Sequence, residues 1–196
     1  DSLSAVPDGP FIFIANELFD ALPVHQYIKH KDNWHERIVD LGDDNDLRFS
    51  LAEKSIISKD LSAKYSDAVE GSVVEICPSA SFIIDEICQR IEKFSGGALI
   101  TDYGYYNRSY KDTLQAVKNH KYHDIFSDIG DADITAHVDF KALLEVASKY
   151  EVKTFGPIDQ ASLLKNLGLT IRLQKLLENA NDEQKKEIGS AAVRLV

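Results

Sequence analysis

Asn16, Glu17 and Asp20 follow, past Ala15, four consecutive large apolar residues, Phe11-Ile12-Phe13-Ile14. Asp8-Gly9-Pro10 bounds the run upstream, and its composition suits a central parallel strand covered on both faces. Open α/β sheets bind ligands just past the carboxyl ends of such strands, so an amide and two carboxylates there are candidate ligand groups. The competing reading is a capped turn in which Asn16 or Asp20 bonds local backbone. A second apolar stretch, residues 98–101, ends in Asp102-Tyr103-Gly104. Tyr103 there either packs over a cation or closes the core with its hydroxyl in water. A third set comprises His120 and His123 with Asp124, Asp128, Asp131 and Asp133. It could ligate a divalent metal for hydrolysis, but no helical pattern places both histidines on one face, which favours a polar loop or substrate lid. His137 is either a pocket residue or a fixing point of its loop.

These groups need elements to hold them. Residues 24–53 read as an antiparallel flap inserted after the first strand. Stretches 24–30 and 34–41 flank the polar turn Lys31-Asp32-Asn33, and residues 47–52 alternate as a half-buried strand does. The spacing of His25, His30 and His35 across this hairpin gives no metal geometry. Residues 73–76 form a short strand. Pro78 then opens an amphipathic helix through Phe94, with apolar residues at helical spacing and Gly96 as its left-handed terminator. Residues 105–138 read as irregular and substrate-facing. Asp139 caps the next helix. Residues 152–155 read as a third strand, closed by Gly156-Pro157, and the rest as helices, with Asn181 starting the last. No repeat or low-complexity linker marks a second domain, so residues 1–196 are expected to form part of one domain.

Composition narrows the classes. With 44% hydrophobic and 28% charged residues, the chain resembles an ordinary globular domain. A net charge of −10 argues against general nucleic-acid binding. No apolar run is long enough to span a bilayer, and the amino terminus has no signal-peptide pattern. Cys77 and Cys88 make no disulfide framework, which points to a reducing intracellular compartment.

The segment Asn16-Glu17-Leu18-Phe19-Asp20-Ala21-Leu22-Pro23 resembles a signature of the MidA-type S-adenosylmethionine-dependent methyltransferases. Further similar blocks follow in the same order, at residues 96–105, 112–117, 123–124 and 133–140. The resemblance implies an α/β class I methyltransferase fold, a doubly wound sheet. It also implies S-adenosylmethionine as cofactor and protein arginine methylation, in mitochondrial members on a subunit of respiratory complex I. A homodimer is compatible with it, as are a bacterial cytoplasm and, alternatively, a mitochondrial matrix. No G-x-G pattern occurs among the 10 glycines, whereas the family carries a Gly-rich cofactor loop near its amino terminus. The expectation is therefore the latter half of the domain, without that loop.

On this resemblance Glu17 orients a guanidinium, as the paired glutamates of arginine methyltransferases do, and Asp20 is a second carboxylate for its forked N–H donors. Asn16 faces the methionine portion of the cofactor, and Tyr103, His123 and His137 line the acceptor side. No metal is expected. The rival functions are a non-catalytic assembly module and a metal-dependent hydrolase using the His/Asp loop.

Overall fold

A computed structural model describes residues 3–55 and 63–195. Where the sequence offers no linker, the chain divides into two compact units, Asp1–Thr154 and Phe155–Val196.

In the first unit, β1 (Phe11–Asn16) runs parallel to β6 (Gly96–Thr101), from Phe11 opposite Gly96 to Asn16 opposite Thr101. Gly96 is required by close approach, since a Cβ there would lie 2.2 Å from the Phe11 carbonyl oxygen. Helix α1 (Pro78–Phe94) buries Ala80, Ile84, Ile87 and Cys88, the stripe its spacing predicts. Its end differs from expectation: the positive φ of 64° falls on Ser95, because Gly96 is already paired with Phe11. Ala15 and Phe19 join α1 and helix α2 (Phe140–Ala147) in one core, closed by Leu143, Val146 and Ala147.

Among the described residues, only that face of the strand pair is covered. Ile12, Ile14 and Leu99 are 80%, 71% and 53% exposed, so the expected burial of β1 on both faces is not met. The reason is alternation: Phe13 and Ala15 turn toward α1 and α2, which leaves their neighbours on the opposite face.

The flap forms as expected and gains a strand. β2 (His25–His30), β3 (Asn33–Leu41) and β4 (Leu47–Ser55) are joined by β5 (Val73–Ile76) in the order β4-β3-β2-β5. Lys31 and Asp32 both take positive φ, the backbone of a two-residue hairpin whose twist matches its strands. The histidines are ordinary surface or packing residues. His25 pairs with Glu36 at 2.7 Å, His30 with Glu70 at 2.8 Å, and His35 meets the Ala52 carbonyl at 2.9 Å.

Residues 105–138 are more ordered than their sequence suggests. β8 (Gln115–Lys118), β9 (Lys121–His123) and β10 (Asp133–Thr135) make a three-stranded antiparallel sheet. β7 (Gly104–Tyr105) pairs in parallel with β11 (Val138–Asp139). Strands of two to four residues are too short to show a period, which is why they escape pattern reading. A Cβ on Gly104 would lie 2.2 Å from the Val138 oxygen and 2.7 Å from the Phe140 ring. Gly104→Ala is expected to cost roughly 1–3 kcal/mol by overpacking. Urea unfolding should show this as a lower midpoint at unchanged slope.

Residues 152–155 form no strand, contrary to expectation. Val152 packs on the core, but Phe155, three residues on and so on the opposite side of an extended chain, is 89% exposed. The segment has no single apolar face to lay against a sheet.

The second unit holds α3 (Gln160–Asn166), α4 (Leu169–Glu178) and α5 (Asp182–Leu195). Asp159 caps α3 through the Ser162 N–H at 2.8 Å. The expected start at Asn181 holds: its side chain accepts from the Gln184 N–H while the Gln184 side chain accepts from the Asn181 N–H, both at 3.0 Å. Among the described residues no helix is long and apolar enough to cross a membrane.

Candidate functional site

The carboxyl ends of β1 and β6 meet side by side. Past Asn16 the chain turns at Glu17, whose φ is 49°, while its N–H still donates to the Thr101 carbonyl at 2.9 Å. This lifts the Glu17 side chain outward and sends Phe19, 3% exposed, into the core. Asp20 follows it down and is only 7% exposed.

Asp102, the first residue past β6, closes the other side. Its Oδ2 accepts from the Phe19 N–H at 2.9 Å and, more weakly, from the Asp20 N–H at 3.4 Å. Its Oδ1 accepts from the Tyr103 N–H at 2.8 Å. Sequence reading treats Asp102 as one of several polar strand-end residues and gives it no role. Its position directly after the second parallel strand was the available signal.

Asp20 Oδ1 is buried and has no hydrogen-bond partner among the described residues. Burial raises this carboxyl above its usual range, the Asp102 charge adds to the rise, and the Ala21 N–H partly offsets it. That N–H is what remains of the turn-capping reading.

Glu17 stands at the rim. Tyr103 donates its hydroxyl to Glu17 Oε1 at 3.2 Å, and the Glu17 charge raises the phenol's pKa. At 59% exposure Tyr103 does not close the core, and its hydroxyl has a protein partner. Because this bond is solvent-facing and long, Tyr103→Phe is expected to change kcat/KM for a cationic acceptor by no more than about threefold. A larger loss in steady-state assays would mean that the hydroxyl contacts the substrate directly. Asn16 is exposed at the end of β1.

A strap at residues 136–138 crosses both strand ends. Ala136 N–H donates to the Asp20 carbonyl at 2.9 Å, and Val138 N–H to the Tyr103 carbonyl at 2.8 Å. Between them His137 is exposed, and its N–H donates to Thr113 Oγ1 at 2.9 Å. Thr113 in turn donates both its N–H and its hydroxyl to Glu75 of β5. Gln26 of β2 donates to Glu75 at 2.8 Å and to Asp112 at 2.7 Å. The flap is thus tied to the strap by a continuous polar network.

His137 is therefore brought to the strand ends. His123 stays on its own loop: its Nε2 lies 3.3 Å from Asp128 without forming a hydrogen bond, and Lys118 holds the same acid at 2.6 Å. His120 lies in the β8–β9 turn at φ 60°. Among the described residues no group of three or more His, Cys, Asp or Glu side chains is arranged to hold a metal ion.

The fold and site define an α/β protein with a cluster of carboxylates at the ends of two parallel strands. Residues 1–158 match the family described as "Putative S-adenosyl-L-methionine-dependent methyltransferase", and the chain belongs to that family. It is 39% identical over 180 residues to "Protein arginine methyltransferase NDUFAF7, mitochondrial" of Xenopus laevis, covering 90% of this chain and 40% of that protein. The Homo sapiens protein of the same name is 38% identical over 182 residues, covering 92% of this chain and 40% of that one.

Two crystal structures from Burkholderia thailandensis superpose closely. An uncharacterized protein gives a TM-score of 0.80 at 27% identity, covering 98% of this chain and 53% of its own. A methyltransferase-like relative bound to S-adenosyl-homocysteine gives 0.79 at 27% identity, covering 98% and 51%. The chain spans about 40% of the length of the curated relatives and about half that of the structural ones.

Proposed function

We propose that this chain forms the acceptor side of an S-adenosylmethionine-dependent protein arginine methyltransferase. One observation carries the reading: a buried, unpartnered carboxylate oxygen of Asp20 lies below the Glu17–Tyr103 rim. A buried anionic acceptor without a donor is costly, and a cation with several N–H groups removes the cost. A planar guanidinium suits two carboxylates at different depths, Asp20 taking one N–H inside and Glu17 another at the rim.

The residues present also fit the cofactor. Asn16, exposed at the end of β1, carries an amide that can donate to the carboxylate and accept from the ammonium of a methionine portion. When bound, S-adenosylmethionine supplies an electrophilic methyl group on a sulfonium. Glu17 and Asp20 hold the acceptor nitrogen in line, and alignment is the main contribution a protein makes to such a displacement. The Gly-rich loop belongs on this proposal to sequence outside residues 1–196. The bare Ile12, Ile14 and Leu99 face, and the chain's share of its relatives' length, support that. The isolated chain is accordingly expected to bind S-adenosylmethionine weakly or not at all. Micromolar binding by calorimetric titration would place the cofactor site within this chain instead.

The finer reading of the acceptor, a subunit of respiratory complex I, rests on the family resemblance. The mitochondrial names of the curated relatives favour the matrix over a bacterial cytoplasm. The deciding experiment incubates the full-length protein with isotopically labelled S-adenosylmethionine and arginine-containing peptides. Fragment-ion mass spectrometry should place the methyl group on arginine. Transfer to lysine or to a carboxylate, or none from a protein that binds S-adenosyl-homocysteine, would overturn the proposal.

A further inference from the structure

The structure assigns Asp102 the part of a positioning residue: one carboxylate clasps the loop after β1 to the loop after β6 and so sets the spacing of Glu17, Asp20 and Tyr103. The inference rests on the functional reading above and adds a residue that does not itself touch the substrate. Both oxygens of Asp102 are engaged, one on Phe19 and Asp20 and the other on Tyr103. It therefore has little capacity left for an incoming cation. Asp20 is the reverse case, with a buried oxygen left over.

The clasp joins residues that no covalent proximity would hold together. Phe19 and Asp102 are 83 positions apart, and the other tie between these loops at backbone level is the Glu17 N–H on the Thr101 carbonyl. Without the clasp, the strand ends keep the Tyr103–Glu17 side-chain bond and the bonds to the strap but lose the contact that fixes Phe19 and Asp20 against the start of the facing loop. A positioning error of about 1 Å is enough to cost a reaction of this kind around a hundredfold. The clasp also bears on charge. The groups around Asp20 are Glu17 on its own loop, Asp102 and Tyr103 on the facing one, and the strap carrying His137, whose neighbour Ala136 bonds the Asp20 carbonyl. Asp102 is the largest contributor to the rise of the Asp20 carboxyl after burial itself.

Asp102→Asn in the full-length protein tests this. The amide keeps one acceptor oxygen and replaces the other with a donor, so one half of the clasp is lost and the charge is gone. Affinity for S-adenosyl-homocysteine, measured by calorimetry, should stay within about twofold. The kcat/KM for an arginine peptide should fall about tenfold or more, as expected for one lost charge-assisted hydrogen bond. Asp20 must be ionised to hold a cation, and loss of the Asp102 charge eases its ionisation. The acid limb of the pH profile should therefore move to lower pH, a shift that a merely structural role would not produce.

An active variant with the wild-type rate and an unmoved acid limb would overturn the assignment. If the wild-type protein fails to methylate arginine, the functional reading falls, and the clasp is judged by deuterium exchange and by Asp20 titration in carbon-detected NMR. Faster exchange at Phe19 and Tyr103 with a lowered Asp20 pKa sustains it, and unchanged exchange and pKa overturn it.

Discussion

Asp20→Asn in the full-length protein should lower kcat/KM for an arginine acceptor by about 100- to 1000-fold while raising the melting temperature at neutral pH. The two effects share one cause. Asp20 is 7% exposed and one of its oxygens has no partner among the described residues, so its ionised form is incompletely solvated in the free protein. Asparagine removes that charge at nearly constant shape. A bound guanidinium would then face a neutral group in a buried setting, and an uncompensated buried charge costs about 3–5 kcal/mol.

The pH dependence follows from the direction of the shift. Burial first, and the Asp102 charge second, raise the folded carboxyl above its unfolded value. The native chain therefore binds this proton more tightly than the unfolded chain does. The resulting stabilisation is fully present below the unfolded aspartate value of about 3.9 and is lost as pH rises through the folded value. The variant's advantage in melting temperature should accordingly be largest at pH 7 and vanish near pH 4. A scanning-calorimetry series across that range checks it. If Asp20→Asn melts lower than wild type at pH 7 and keeps its activity, the side chain is a turn residue held by the Ala21 N–H. The strand-end carboxylate would then have no substrate role.

Glu17→Gln should reduce the same kcat/KM by roughly 10- to 100-fold, with the fold and S-adenosyl-homocysteine affinity unchanged. The smaller loss reflects position. Glu17 is exposed at the rim, where solvent screens its charge, so the change amounts to one charge-assisted hydrogen bond of about 1.5–3 kcal/mol. Glutamine adopts the φ of 49° at similar cost, so the turn and its N–H bond to Thr101 survive. Wild-type methylation by this variant would remove the orienting role. Comparable losses at Glu17 and Asp20 would place both at equal depth against the substrate, contrary to their difference in burial.

Much of the site's scaffold was legible in the sequence. The apolar run of β1, the stripe of α1 and the caps at Asp139 and Asn181 each depend on residues within a few positions of one another. Asp139 accepts from the Ala142 N–H three residues on, a contact that composition and spacing announce without knowledge of the fold. Asn16, Glu17, Asp20 and Tyr103 are candidates for the same reason: strand ends are recognisable, and polar groups placed there draw notice.

What tertiary structure alone decided concerns partners far apart in the chain. The burial of Asp20 depends on elements more than a hundred residues downstream, and its main-chain partner is Ala136. The clasp at Asp102 spans 82 and 83 positions, and an aspartate's spacing from its neighbours says nothing about which distant N–H groups it will meet. Membership of β5 in the flap sheet, the exposure of Ile12 and Ile14, and the solvent-facing Phe155 were likewise settled by which surfaces found a partner. Local free energies set the elements, since helical period and capping act over a few bonds. The site emerged only when two strand ends were held side by side, because its hydrogen bonds and its unpaired charge arise between segments that the sequence keeps apart.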